Sequence, residues 1–300
     1  MIKIVGFIGL GVMGHNMALN LAQKMPAGVK LIVFDVDKAK TEALVKAAET
    51  RGAAAAGASS ITDMGSTDLI FLSLPNSSIV QNVITSLSPI LKSGSIIADT
   101  STTEVTVVKV LALELEKMGI DFADTPVSGG EKAAIDGTLS FMAGAKEEVF
   151  AEIKPFCSTM AASVVHMGGV GTGQTAKAVN QMIVGAAFAV IAESFSLGAR
   201  SGLDPKILYE AIKGGWAGSK VLDVAAKDML SRDFKPGGTV DIHWKDLGYA
   251  LNLSKDTDTP VPVTALVHEI FKASRAHGDG KKSQPAIVKL WESLLNQEVK

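Results

Sequence analysis

Two places in the chain carry residues whose types and spacing could do chemistry. The first is Gly9-Leu10-Gly11-Val12-Met13-Gly14. Three glycines at this spacing form the turn that brings a dinucleotide pyrophosphate onto a helix N-terminus. The second is Lys177 with Asn180, in GTGQTAKAVNQ (171–181). A lysine can move a proton, and an amide can orient an oxygen-bearing substrate. Three residues apart on a helix, the two share one face. Each has a plainer alternative: a glycine-rich bend that merely fits the pattern, and a solvated lysine near a helix start. The surroundings weigh against the second. Gly171 and Gly173 precede Lys177, Ala176 and Ala178 flank it, and a strongly apolar stretch follows. A lysine on a mostly buried helix is costly unless paired or used, and desolvation moves its pKa toward the range that general acid–base transfer needs.

Each pair needs elements to hold it. The glycine run calls for a strand before it, a helix after it and an acidic residue closing the second strand. Ile4–Ile8 reads as the strand, Met13–Lys24 as the helix, and Asp35 ends LIVFD. Gly9 then permits the tight turn, Gly11 the approach of backbone to pyrophosphate, and Gly14 close helix–strand packing. Asp35 can accept from the adenine ribose hydroxyls and would repel a 2′-phosphate. No arginine follows at once, and Lys38 is the nearest cation in sequence. The pattern therefore favours NAD over NADP.

Further apolar runs at Lys30–Phe34, Leu69–Leu74, Ser95–Ala98, Asp121–Asp124 and Leu139–Met142 read as strands. Helical patterns at Lys38–Arg51, Ser78–Leu91 and Thr103–Met118 lie between the earlier ones. This alternation predicts an α/β doubly wound parallel sheet. After about Val165 strand signals stop, and a long helix over 173–199 opens a run of shorter ones at 205–213, 219–230, 243–255, 261–276 and 284–296. We expect a dinucleotide-binding domain over 1–164 and an all-α domain over 165–300 that handles substrate and self-association and begins with a long interdomain helix.

Strand ends supply more polar groups. Leu74-Pro75-Asn76 ends one strand and Asp99-Thr100-Ser101-Thr102-Thr103 the next, where ligands of parallel sheets collect. Their hydroxyls could equally cap the following helix, with Glu104 in its first turn. In DTPVSGG (124–130), Ser128, Gly129 and Gly130 form a turn whose amides and hydroxyl could hold a carboxylate. DIHWKD (241–246) sets Lys245 beside Asp246 on another helix.

Bulk properties exclude several classes. The 300 residues are 47% hydrophobic and 20% charged, with formal net charge −2, a globular profile without the basic excess of a nucleic-acid binder. No secretory signal pattern precedes the first apolar run, and the longest apolar stretch, Met182–Ala192, is too short to cross a bilayer. The chain reads as cytoplasmic, with neither membrane nor nucleic acid as partner. Its one cysteine, Cys157, suits a reducing compartment and a buried structural role. The five histidines (15, 166, 243, 268, 277) show no ligand spacing, so no metal is expected. A helix that is apolar nearly all round, such as 173–199, needs burial, which predicts a homodimer or homotetramer.

Seven ordered motifs resemble the β-hydroxyacid dehydrogenases, the family of 3-hydroxyisobutyrate dehydrogenase and tartronate semialdehyde reductase: GFIGLGVMG, LPN, DTSTT, DTPVSGGEKAAIDGTLSFMAG, GTGQTAKAVNQ, GGWAGSKVLD and FKPGGTVDIHWKDLGYAL. The resemblance spans essentially the whole chain and implies a Rossmann-type first domain. It implies Lys177 as catalytic acid–base with Asn180 placing the substrate. Ser128, Gly129 and Gly130 would bind the substrate carboxylate, with Thr102 close by. Gly9 to Gly14, Asp35, Leu74, Pro75, Thr102 and Lys245 would contact the cofactor. Many members carry two asparagines where this chain has Asn180-Gln181, and this departure resembles the tartronate semialdehyde reductase (2-hydroxy-3-oxopropionate reductase) branch. The implied reaction interconverts a small 3-hydroxy acid, D-glycerate first, and its semialdehyde. Alternatives are 3-hydroxyisobutyrate dehydrogenase, a related short-chain semialdehyde reductase, and a catalytically silent nucleotide-binding protein. An imine-reducing relative is disfavoured, because such proteins typically replace this lysine.

Overall fold

The structure, a computed structural model, describes residues 2–235 and 237–300. Pro236, within the FKPGG motif, lies outside the described residues. By contacts the chain divides into two units, at Lys177/Ala178.

The first unit opens β1 (Ile4–Ile8), α1 (Val12–Lys24), β2 (Lys30–Phe34), α2 (Lys38–Thr50), β3 (Ala56–Gly57). It continues β4 (Leu69–Leu72), α3 (Ser77–Leu87), β5 (Ile96–Asp99), α4 (Val105–Lys117), β6 (Asp121–Asp124). Next come β7 (Val127–Ser128), α5 (Gly130–Asp136), β8 (Leu139–Gly144), α6 (Glu147–Cys157) and β9 (Ala161–Gly168). The sheet order begins β3-β2-β1-β4-β5-β6, all parallel, the order of a dinucleotide-binding sheet. β8 then pairs antiparallel with β6 and β7, and β9 lies parallel to β8.

Both faces of the sheet are buried, which explains why its strands read as continuous apolar runs. Alternate residues divide between two cores: Leu69 and Phe71 of β4 join Phe7, Met17, Leu21 and Val33 on one side. Ile70 and Leu72 of the same strand join Val80, Ile84, Val108 and Leu111 on the other. Helix α3 stops at Leu87, short of the expected Leu91, because Ser88 precedes Pro89 and a pre-proline residue disfavours continued helix. Two helices, α5 and α6, and the strands β3, β7 and β9 were not legible as patterns. α5 begins at a glycine, α6 carries Pro155, β3 has only two residues, and β9 has an irregular register against β8. Position 164/165, where the sequence suggests a division, falls inside β9.

Helix α7 (Thr172–Arg200) contributes its first residues to this unit and the rest to the second. By length and composition alone its 29 residues could cross a membrane, but Phe188, Ala189, Ala192 and Phe195 lie in the core of the second unit. The remaining helices there are α8 (Pro205–Ile212), α9 (Lys220–Ser231), α10 (Val240–Asp256), α11 (Pro262–Ala276) and α12 (Val288–Leu295). Leu222, Ala225 and Met229 from α9, Leu247 from α10 and Phe271 from α11 complete that core. Proline stands in the first turn of α8 and α11, where no amide hydrogen bond is lost.

Candidate active site

The glycine run forms the turn from β1 into α1. Gly9 has φ +93°, a conformation that favours glycine, and a Cβ there would strike the Ser73 carbonyl. A Cβ on Gly14 would collide with the Gly9 carbonyl. Gly11 differs: a Cβ there would meet nothing within 4 Å. It is the N-cap of α1, and no side chain among the described residues caps that helix. Glycine at this position thus leaves the first-turn amides an open approach, which fits a pyrophosphate.

Asp35 fastens this turn to the end of β2. Its Oδ2 accepts from the Leu10 amide at 2.7 Å and its Oδ1 from the Asp37 amide at 2.9 Å, with the side chain 9% exposed. Each carboxylate oxygen has a second lone pair for a hydroxyl donor. The cation beside it is Lys40, 3.9 Å from Oδ1, rather than Lys38, because the first turn of α2 swings its third residue back toward the strand end. On α1, Asn20 donates to the Ala134 and Ile135 carbonyls, tying the helix behind the glycine turn to α5 behind Ser128-Gly129-Gly130.

At the next strand ends most hydroxyls are committed to the sheet. Thr100 Oγ1 donates to the Leu72 carbonyl, Thr103 Oγ1 to Asp99 Oδ2, and the Leu74 amide donates to Ser101 Oγ. The Thr100 and Ser101 bonds tie the end of β4 to that of β5, the Thr103 bond closes the loop after β5, and Glu104, the N-cap of α4, makes no side-chain capping bond. Thr102 stands half-buried among them, and Pro75 is exposed beside Leu74. In the 128–130 turn, Gly129 and Gly130 have φ +133° and +72°, a backbone that favours glycine at both, and a Cβ on Gly129 would also press on Ala133.

Lys177 lies on α7, buried, with Nζ donating to the Val127 carbonyl at 2.8 Å. That carbonyl precedes Ser128, which brings the ammonium to the edge of the 128–130 turn. Two residues that the motifs contain but sequence reasoning passed over hold this arrangement. Asp124 ends β6 fully buried and accepts from the Gly171 and Gln174 amides at 2.6 and 2.7 Å. Gln174 accepts from the Thr103 amide and donates to the Ser101 carbonyl. Burial, with a smaller contribution from Asp99, pushes the Asp124 carboxyl up to about 7. The available signal was a carboxylate closing the apolar stretch FAD.

In the second unit, Asn180 Nδ2 donates to Gln181 Oε1 at 2.9 Å, and Gln181 Nε2 donates to Asp246 Oδ2 at 2.6 Å. Lys245 Nζ pairs with Asp246 Oδ1 at 2.9 Å and lies 4.7 Å from the Tyr249 ring centroid. The second residue of Asn180-Gln181 is thus a strut: it links Asn180 to a buried carboxylate that also holds Lys245. His243 is structural, stacked on Phe271 with its ring nitrogens at the Gln181 carbonyl and Gln284 amide. Burial pushes the Cys157 thiol up to about 12, so it is inert as a nucleophile. Among the described residues no group of three or more His, Cys, Asp or Glu side chains is placed to hold a metal ion.

Residues 4–169 match the model of the NAD binding domain of 6-phosphogluconate dehydrogenase, and residues 171–291 that of the NAD-binding domain of NADP-dependent 3-hydroxyisobutyrate dehydrogenase. The chain is 37% identical to 2-(hydroxymethyl)glutarate dehydrogenase of Eubacterium barkeri, over 98% of this chain and 97% of that protein. It is 34% identical to 2-hydroxy-3-oxopropionate reductase of Escherichia coli, over 98% and 99% of the two chains. The chain belongs to the β-hydroxyacid dehydrogenase family. The crystal structure of 3-hydroxyisobutyrate dehydrogenase from Salmonella typhimurium superimposes with a TM-score of 0.86 at 27% identity, covering 96% of this chain and 99% of that one. As a β-hydroxyacid dehydrogenase, the protein is an oxidoreductase that acts on a hydroxyl group with a nicotinamide dinucleotide.

The buried carboxyl of Asp124 has a consequence for stability. With its pKa raised from 3.8 to about 7, the folded state holds a proton that the unfolded state has released, so this group's contribution declines as pH rises from about 4 to 7. Asp124→Asn removes that dependence. The difference in Tm, variant minus wild type, is expected to grow in the variant's favour between pH 5 and 8, as read by calorimetry across that range; a difference independent of pH would contradict it.

Proposed function

We propose that the enzyme interconverts a small 3-hydroxy acid and its semialdehyde, with NAD(H) preferred and tartronate semialdehyde/D-glycerate as the first pair to test. The observation that carries this reading is the buried Lys177 ammonium held at the Val127 carbonyl, next to the Ser128-Gly129-Gly130 turn and one helical turn before Asn180. The 34% identity to a 2-hydroxy-3-oxopropionate reductase supports the substrate. The 37% identity to a 2-(hydroxymethyl)glutarate dehydrogenase supports a second reading, a larger dicarboxylic hydroxy acid.

The nicotinamide ring, when bound, accepts or supplies the hydride. In oxidation Lys177 takes the hydroxyl proton; in reduction its ammonium gives a proton to the carbonyl oxygen of the semialdehyde. Ser128 and the amides of Gly129 and Gly130 bind the substrate carboxylate, with Thr102 beside them, and Asn180 orients the reacting oxygen. Fixing both ends of so small a substrate supplies much of the rate through orientation. Gly9, Leu10, Gly11, Val12, Met13 and Gly14 cradle the pyrophosphate, while Asp35 receives the adenine ribose. Leu74, Pro75, Thr102 and Lys245 contact the rest of the cofactor. The globular composition suits a cytoplasmic enzyme.

Lys177→Ala should lower kcat by at least about 100-fold, the scale of general acid–base catalysis, with NADH affinity within about twofold by fluorescence titration. Turnover close to wild type would remove Lys177 from the proton step.

For the cofactor, the Asp35 carboxylate, already on two amides, would sit against a 2′-phosphate. Lys40 at 3.9 Å offsets part of that repulsion. A panel of short semialdehydes assayed with both cofactors should show NADH ahead, and Asp35→Ser should narrow the preference by about tenfold, one like-charge contact being worth roughly 1.4 kcal/mol. Equal or better rates with NADPH would reverse the assignment.

Self-association is supported by an apolar row on α7, where Val179, Ile183, Val190 and Leu197 are each more than half exposed. Sedimentation at micromolar concentration should give a homodimer or homotetramer; a monomer alone would exclude it.

A further inference from the structure

Helix α7 starts after a residue that has no side chain to cap it. Its N-cap position is Gly171, within GGVGTGQ, where a Ser, Thr, Asp or Asn would ordinarily accept the first free amides. The cap comes instead from the sheet. Asp124, the last residue of β6, offers one carboxylate oxygen to the Gly171 amide and the other to the Gln174 amide. The approach is close enough to demand glycine on both sides. A Cβ on Gly144 would lie 2.5 Å from Asp124 Oδ1, and one on Gly173 would run into the carbonyls of Met142 and Asp124. Gln174 adds a second attachment, to the backbone of Ser101 and Thr103 beyond β5. Three residues after Asp124, the Val127 carbonyl takes the Lys177 ammonium. One short segment, 124–127, therefore grips α7 twice: at its first amides, and at the lysine on its second turn.

This arrangement is expensive for a cap. The Asp124 side chain is fully buried and stands in register with a second buried carboxylate, Asp99, on β5. The other neighbours across β6 and α7 are glycine and amide groups: Gly144 on β8, Gly171 and Gln174 on α7. At an exposed helix start a local Ser or Asp satisfies such amides with far less desolvation, but Gly171 is buried, its φ is +93° and a Cβ there would press on Lys109. A local cap, however, moves with its helix, whereas a cap supplied by the sheet fixes where the helix starts. That difference matters for a group that must meet a substrate oxygen within a fraction of an ångström.

We propose that Asp124 is a positioning residue for Lys177: by capping α7 from the end of β6, it sets the height and rotation of the helix so that the lysine amine reaches the reacting oxygen. The proposal rests on Lys177 as the proton-transfer group. Asp124 touches neither substrate nor cofactor in this role; it acts through the helix.

The test compares Asp124→Asn, which keeps the shape but turns an amide donor toward one of the two helix amides, and Asp124→Glu, which keeps the charge but lengthens the reach. Rates are expressed per NADH-binding site, so that unfolded protein does not count. Both variants are expected to lose about tenfold to 100-fold in kcat, the cost of a misplaced catalytic group, while the KM for NADH stays within about twofold. The solvent deuterium isotope effect on kcat should rise as proton transfer becomes limiting, a change that mere loss of stability would not produce. Amide hydrogen exchange over 171–177 should accelerate in both. If either variant fails to fold, Gln174→Met, which cuts the attachments to Ser101 and Thr103 alone, should show the same pattern at about threefold to tenfold. Folded variants with unchanged kcat and isotope effect, beside an inactive Lys177→Ala, would overturn the positioning role and leave the proton-transfer reading standing. An active Lys177→Ala would overturn both, and the exchange data would still report whether Asp124 caps the helix.

Discussion

The amides that every helix leaves unsatisfied at its N-terminus organise the carboxyl edge of this sheet. Helices α1 and α7 both start there with glycine at the N-cap position, and the fold treats them oppositely. α1 has no side-chain cap, with clear space above Gly11. α7 has its amides filled by Asp124. An open helix start beside a carboxylate-closed strand suits a pyrophosphate on one side and a ribose on the other. A closed start suits a helix whose task is to carry a side chain to a fixed place. On the proposed reading, the same groups, left open or stoppered, separate cofactor binding from proton transfer.

Carboxylates do most of this fastening. Asp35 ties the glycine turn to β2, Asp99 gathers the Ser101 and Thr103 loop, Asp124 caps α7, and Asp246 holds Gln181 and Lys245. All four are buried, and three close a parallel strand or stand directly after it. Acceptors placed there meet the donors that parallel strands and helix starts leave over, so charged side chains can be buried without being orphaned. The arrangement explains why motifs that look like substrate or cofactor signatures also contain structural residues. In DTPVSGG the first residue fastens a helix, the fourth offers a carbonyl to Lys177, and the last three form the turn. In DTSTT the hydroxyls of Thr100 and Thr103 bond to the sheet.

Much of the fold was legible because both sheet faces are buried, which turns parallel strands into unbroken apolar runs between helical patterns. The misses have physical causes. α6 tolerates Pro155 in its last turn and α5 follows glycines, so neither advertises a helix. Ser88 ends α3 early because of the proline after it. At the site, residue types and spacing pointed to Lys177, Asn180 and the glycine turns. Asp124 and Gln174 were passed over because their partners are 47 to 73 residues away, and no local pattern announces a cap imported from another element. The cation at Asp35 illustrates the same limit: Lys38 is nearer along the chain, yet helical geometry presents Lys40.

The sequence by itself determined what is encoded locally: the turn glycines that only a positive φ or a close approach explains, the carboxylate closing β2, the periodicity of the elements, and the kinship carried by seven ordered motifs. Tertiary structure alone decided which polar groups are spent on the fold and which face the site. It gave the Lys177 ammonium its carbonyl, made Gln181 a strut between Asn180 and Asp246, and drew the cap of α7 from β6. The reason is that hydrogen-bond donors and acceptors are satisfied by whatever lies within about 3 Å, however distant it is along the chain.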